Sequence, residues 1–576
     1  MHKTFTLRTT YLLFPLLFLV FFQLWGAIIS TITSSFSTLL VTSFCLTLVT
    51  ASTIAYHMRR SFSITRMQLA VITGISTIVT GLYSTRLNWN IFDYLCPTGL
   101  LGLVSQVANG TFPASFTSFP DFIMNYHQGF IFTAGVLSYT TGIMPSFAIF
   151  ITLLTSYFLL NIYVPPFFIS IKNPLYYLPP FLFVLVTSID LHTLSGINFG
   201  WYNYISIFEY SGSNSWPLSL LLLTVGLFFI QQYRHTTENI LIAAGLILAT
   251  ATLNATLFSV LILTVPLMYA YYWWATKKFP YRHFVLTTSL LILVFITPRF
   301  LPSAFLVGAT YDTPGLGIRF LYEGFDKYSK HMARFIVLCG PLLLFSVFTV
   351  ITMLRRKIID WRIWLICMFV IAFAFPFVFG FPNVDVWDNL HKFAVITMYL
   401  GTVLLVIFFR DTRFSIKMVA GYVVVCAAIS LPVLYDIATV RLSSDYAHQL
   451  YPLERIADIT QYLRGTQKTI VPYKMDTYEI CEPDQYGGIA GHSGNYLKDS
   501  YYVNFLLAPD IEQSYTEELT WVQSTSSISA KISSLDSNTV MVIKRSHETE
   551  FLLILEQNPT NTQRQVRYFK NFLLYE

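Results

Sequence analysis

Apolar runs of about twenty residues, the length a helix needs to cross the ~30 Å hydrocarbon core of a bilayer, recur from near residue 11 to near residue 434. In lipid every backbone amide must be bonded within the protein, so runs of this length restrict the chain to a bundle of helices. Of the 576 residues, 54% are hydrophobic and 11% are charged, where an ordinary soluble domain has about 25% charged residues. That balance excludes an ordinary soluble enzyme. With 51 Phe and 36 Tyr it also excludes a disordered chain, which lacks apolar surface to bury. The formal charge of +6 is small for the length and offers no argument for a nucleic-acid partner.

The basic residues are better read for topology. They cluster at Arg59/Arg60/Arg66, Arg234, Lys277/Lys278/Arg282, Arg355/Arg356/Lys357/Arg362 and Arg410/Arg413/Lys417, between apolar runs, as cytoplasmic loops do. The first run, 11–30, has no small-residue cleavage site, so a retained helix after a cytoplasmic N-terminus is expected. Between Arg66 and Arg234 there are five runs (68–85, 129–143, 146–165, 175–192 and 217–232), yet an even number has to cross. One, in the Pro-broken region 164–180, is expected as a re-entrant piece. The expected fold is mainly α: a polytopic membrane bundle of about 13 spans over residues 1–434, with a first external loop at 86–128. Residues 435–576 pattern differently. Helix-like stretches at 453–463 and 548–556 alternate with β-rich runs at 468–471, 539–544 and 566–568, predicting a small extracytoplasmic α/β domain.

Candidate chemistry collects in the external segments. Asp93 and Asp121 stand with His127 at the membrane face, and an apolar stripe over 99–108 predicts a short helix lying in the interface. A carboxylate held there could act as a general base or hold a divalent cation against a phosphate. His127 could donate to a phosphate or a sugar hydroxyl, and Tyr126 beside it suits the aromatic belt or the same substrate. The segment 381–392 gathers Asp385, Asp388, Asn389, His391 and Lys392, with Lys392 suited to a lipid-linked phosphate. In 298–334, read as an outward loop, Arg319 is the preferred donor to phosphate because guanidinium binds its oxygens bidentately. The tail segment around Ser493 is one residue short of a nucleophile elbow and reads as a turn-rich cap on the membrane-side cleft. Cys45, Cys339, Cys367 and Cys426 lie in apolar runs and read as small hydrophobes.

Three places carry a resemblance to a known family. They are Asp93 followed by Gly110-Thr111-Phe112-Pro113 and Asn125-Tyr126-His127-Gln128-Gly129-Phe130; Trp387-Asp388-Asn389 with Lys392; and the α/β tail. Together they resemble bacterial polytopic GT-C glycosyltransferases, a group broadly similar to oligosaccharyltransferases and protein mannosyltransferases. Many members carry a His four residues after the first-loop acid, where this chain has Pro97. The resemblance implies a multi-pass enzyme of the cytoplasmic (inner) membrane that takes sugar from a polyprenyl-phosphate donor. Its acceptor would be an envelope glycan, lipid or protein, and Asp93, or alternatively Asp121, would be the base. It leaves the need for a metal open.

Two other classes compete. A transporter or flippase should hold ionisable groups at mid-bilayer, and the runs offer little beyond Asp190 and His192. A non-catalytic scaffold would use the tail to bind envelope partners.

Overall fold

The residues described in the computed structural model are 4–57, 61–86, 100–115, 128–168, 188–190, 204–206, 216–231, 237–300, 317–380, 386–412, 453–466, 468–474, 528–557 and 564–576, with single residues or pairs at 417, 420–421, 424–425, 428, 489, 493 and 496–497. They are mostly helical. Among the described residues, four helices can cross a membrane by length and composition: Leu13–Ser30, Phe36–His57, Pro145–Ile162 and Thr256–Thr276.

Strand β1 (Thr4–Arg8) leads into α1 (Thr9–Ser30), which turns at 31–35 into the antiparallel α2 (Phe36–His57). β2 (Ser61–Thr65) pairs antiparallel with β1 and passes directly into α3 (Arg66–Arg86). Two short helices follow, α4 (Leu100–Ala108) and α5 (Gly129–Thr141), packed on one another and on α6 (Pro145–Phe168). The helix expected to lie in the interface is α4, but residues 101–108 are buried on every side. Its polar residues, Ser105 and Gln106, are uncharged; Gln106 bonds the Ser115 backbone at both carbonyl (3.0 Å) and N–H (2.8 Å), and Ser105 Oγ is buried without a partner among the described residues.

β3 (Ser188–Asp190) and β4 (Tyr204–Ser206) form an antiparallel pair in which Asp190 stands opposite Tyr204. The apolar run 175–192 therefore ends in a strand, and Asp190 does not lie on a membrane-length helix. The run contains Pro179 and Pro180 and ends near β-branched Ile189, a composition unsuited to helix continuation.

The next helices are α7 (Trp216–Gln231), α8 (Thr237–Ala251), α9 (Ala255–Thr276) and α10 (Tyr281–Phe300). Asn254 caps α9, its Oδ1 accepting the Leu257 N–H at 3.0 Å. β5 (Gly317–Ile318) opens α11 (Arg319–Arg355), and α12 (Arg362–Val378) returns to β6 (Phe379–Gly380), which pairs antiparallel with β5. Residues from Arg319 onward are thus helical rather than part of an outward loop. α13 (Val386–Thr412) packs along both α11 and α12.

Tyr271 Oη donates to the Ile358 carbonyl at 3.2 Å, and Lys357 Nζ lies 5.6 Å from the Trp274 ring centroid. The α9–α10 and α11–α12 turns therefore meet at one end, which carries Lys277, Lys278, Arg282, Arg355, Arg356, Lys357 and Arg362; the β5–β6 pair marks the other end of α11 and α12.

The tail builds α14 (Leu453–Leu463), β7 (Thr469–Pro472), β8 (Tyr496–Leu497), α15 (Ile528–Ser534), β9 (Thr539–Lys544), α16 (Glu548–Gln557), β10 (Val566–Tyr568) and β11 (Phe572–Tyr575). The sheet order is β10-β11-β9-β7-β8, parallel across β9–β7–β8 and antiparallel elsewhere. Alternation sends Val540, Val542, Phe572 and Leu574 to one face against Ile456 and Ile459 of α14. Met541, Ile543, Leu573 and Tyr575 go to the other, against Ile532 and Phe551. Two bonds tie this sheet unit to the α4–α5 pair: Asn109 Nδ2 to the Ser493 carbonyl (2.8 Å) and Arg464 Nη2 to Ser138 Oγ (3.2 Å).

Candidate functional site

At the β5–β6 end the first turn of α11 places Arg319 and Glu323 four residues apart, on one helix face, and Arg319 Nη1 donates to Glu323 Oε1 at 2.8 Å. Gly324 then takes φ 73° and ψ 166°, a conformation open to glycine, and bends the helix. Beyond the bend, His331 brings Nδ1 to within 3.0 Å of Glu323 Oε2. Side-chain exposures of 1% for Arg319 and 2% for Glu323 mean that neither charge could be held here without the other.

The pairing leaves donors over. Arg319 Nε and Tyr322 Oη are buried and have no hydrogen-bond partner among the described residues. Both side chains close on Gly380, where an added Cβ would collide with Tyr322 Oη and come within 2.8 Å of Arg319 Nη2. Chemically this is a guanidinium with a spare Nε–H next to a phenol, an arrangement suited to an oxyanion.

Of the residues singled out by sequence, Arg319 belongs to this cluster. Lys392, Asp388 and Asn389 lie on the first two turns of α13, with Lys392 partly buried. Gly380 and Val386 are six steps apart, so the start of α13 lies within about 20 Å of the cluster's backbone. Asp93, Asp121, Tyr126, His127 and Asp385 lie outside the described residues.

The flanks of 116–127 are nevertheless defined. Gln128 is fully buried, its Oε1 accepting the Ala114 N–H (2.8 Å) and its Nε2 donating to the Ala114 carbonyl (3.2 Å). The Gly129 N–H donates to the Thr252 carbonyl at 2.7 Å, and Gln23 of α1 lies alongside. α5 therefore starts inside the bundle.

Tyr322 and Gly380 escaped the sequence reading, and Glu323 and His331 fell within the stretch 298–334 read as an outward loop. The four-residue spacing of Arg319 and Glu323 was the one available signal; nothing local marks Gly380. Ser493, read as part of a cap, is buried and meets Asn109 through its carbonyl. Cys339 and Cys367 are buried as expected, whereas Cys45 lies on an exposed face of α2. No group of three or more potential metal ligands occurs among the described residues.

Comparison with protein-family models and with curated proteins gives no match for this chain. The described residues define a mostly helical protein whose four long apolar helices mark it, by length and composition, as a membrane protein.

Proposed function

We propose that the chain is an integral membrane glycosyltransferase that moves a sugar from a polyprenyl-phosphate donor to an envelope glycan, lipid or protein at the β5–β6 end of the bundle. The observation behind this reading is Arg319: a buried guanidinium whose Nε, like the Tyr322 hydroxyl beside it, has no partner among the described residues, at the opposite end of α11 and α12 from the basic turns. In this reading that basic end is cytoplasmic, about 13 helices span the inner membrane, and residues 435–576 form an extracytoplasmic α/β domain.

The resemblance to GT-C enzymes supplies the remaining roles. Asp93, with Asp121 as the alternative, removes the proton from an acceptor hydroxyl. That oxygen attacks the anomeric carbon as the bond to the phosphate oxygen breaks, and polyprenyl phosphate leaves with its charge met by Arg319 or Lys392. A single displacement inverts the anomeric centre. Tyr126, His127, Asp388 and Asn389 contact substrate, and a divalent cation on the first-loop carboxylates would serve the same phosphate.

The test is sugar transfer from a polyprenyl-phosphate sugar in membranes containing matched amounts of wild type, Asp93→Asn or Arg319→Lys. Asp93→Asn is expected to abolish transfer, and Arg319→Lys to lower it by about 10²–10³, the usual loss when one donor to a developing anion is removed. Wild-type membranes that consume no donor but alter solute flux would make the protein a transporter.

A further inference from the structure

A cavity of about 550 Å³ lies between α7, α8, α9, α10 and α12, well away from the Arg319 cluster. Its walls are mainly apolar, including Leu227, Ile247, Leu261 and Met268, and at one end it is lined by Pro280, His283, Asp360 and Trp361 of the two turns at the basic end. Along α9 the lining runs from Leu261 to Tyr272, about 16 Å at 1.5 Å per residue. That is close to half the ~30 Å hydrocarbon core, the depth of one leaflet.

Charge and aromatic placement identify an occupant. The two turns and their flanks carry Lys277, Lys278, Arg282, Arg355, Arg356, Lys357 and Arg362 against the lone carboxylate of Asp360, which is itself paired with Arg362 at 2.6 Å. Trp273, Trp274, Phe279 and Tyr281 are exposed beside the lysines, as in an aromatic belt at headgroup level. Gly226 lines the cavity, and a Cβ added there would meet nothing within 4 Å. A mainly apolar space of this size suits a hydrocarbon chain, and a basic rim beside it suits a phosphate.

We propose that this cavity holds one acyl chain of an anionic phospholipid from the leaflet at the basic end, with the phosphate against Lys277, Lys278 and Arg282. It is a second lipid site, at the opposite end from the phosphate site assigned above and independent of that assignment.

The test uses full-length protein purified in mild detergent, with retained phospholipid quantified by mass spectrometry and rebinding compared for phosphatidylglycerol and phosphatidylcholine. Wild type is expected to retain phosphatidylglycerol in preference to phosphatidylcholine. Gly226→Phe, which fills the cavity, should lower retention about tenfold, roughly the loss when a few methylenes are displaced from a buried site. Gly226→Ala should retain it as wild type does. Neutralising Lys277, Lys278 and Arg282 together to Gln should remove the preference for phosphatidylglycerol. Ala244→Phe, on α8, makes the same measurement if Gly226→Phe does not fold. Equal retention by wild type and a folded cavity-filled variant, or no preference for phosphatidylglycerol in wild type, overturns the proposal.

Discussion

The two ends of α11 and α12 differ in how they hold charge: both expose charged side chains, Asp326, Lys327 and Lys330 among them on α11, but one end also buries a pair. At one end, Lys277, Lys278, Arg282, Arg355, Arg356 and Lys357 are all exposed, and the residues that hold the turns together are Tyr271 and Trp274. At the other, Arg319 and Glu323 are almost completely buried, each is bonded to the other, and His331 holds the second carboxylate oxygen. The exposed charges cost little to place and can be exchanged with little effect on stability. The buried ones are interdependent, because removing either leaves an uncompensated ion away from water. A buried charge retained in that way, with donors left over, calls for a ligand more strongly than any density of surface lysines does.

That contrast can be broken by substitution. The largest effect expected is from Glu323→Gln, which strands the Arg319 charge and should cost about 3–5 kcal/mol, read as a lowered unfolding midpoint in detergent. A loss no greater than that of a surface substitution would put the cluster in contact with water and end the contrast. Gly380→Ala should come next, at about 1–3 kcal/mol, because its methyl must push aside Tyr322 and the Arg319 guanidinium. The same substitution at Gly226, where space is open, should be close to neutral and gives the reference in the same assay.

Acid should loosen the sheet unit. Burial opposes the charge of the Glu576 side chain, but Tyr462 Oη (2.6 Å), Lys468 Nζ (3.0 Å) and Arg567 Nε (3.1 Å) outweigh it and hold the carboxyl below its usual 4.5. A depressed carboxyl stabilises fully above the unfolded value, and that contribution is lost as pH falls through the folded one. Proteolysis of the tail should therefore quicken between about pH 4.5 and lower values, with Tyr462→Phe shifting the onset upward. A tail equally resistant across that range would show that Glu576 does not tie α14 to the sheet. The smallest effect belongs to the basic end: Lys277→Gln with Lys278→Gln should change stability by less than about 0.5 kcal/mol.

Much of the architecture was legible in the chain because it rests on local periodicity. Hydropathy marked α1 and α6 as the runs 11–30 and 146–165, and in the tail α14, β7, β9, α16 and β10 lie within one residue of the stretches read from patterning. β8, at two residues, and β11, a continuous apolar run without alternation, left no such mark. α4 was legible as a helix but not in its setting, since its stripe of Leu101, Val104 and Val107 is equally compatible with an interface and with a core.

Sequence by itself determined that this chain is helical, suited to a membrane, and asymmetrically charged, because span length, turn chemistry and the placement of Lys and Arg are properties of neighbouring residues. It also singled out Arg319 by chemical type. Tertiary structure alone decided that Arg319 is buried, that Glu323 and His331 are its partners, and that Gly380, 61 positions along the chain, makes room for it. Burial and pairing depend on which segments meet in space, and the β5–β6 pair that brings Gly317 opposite Gly380 joins residues that no local pattern connects.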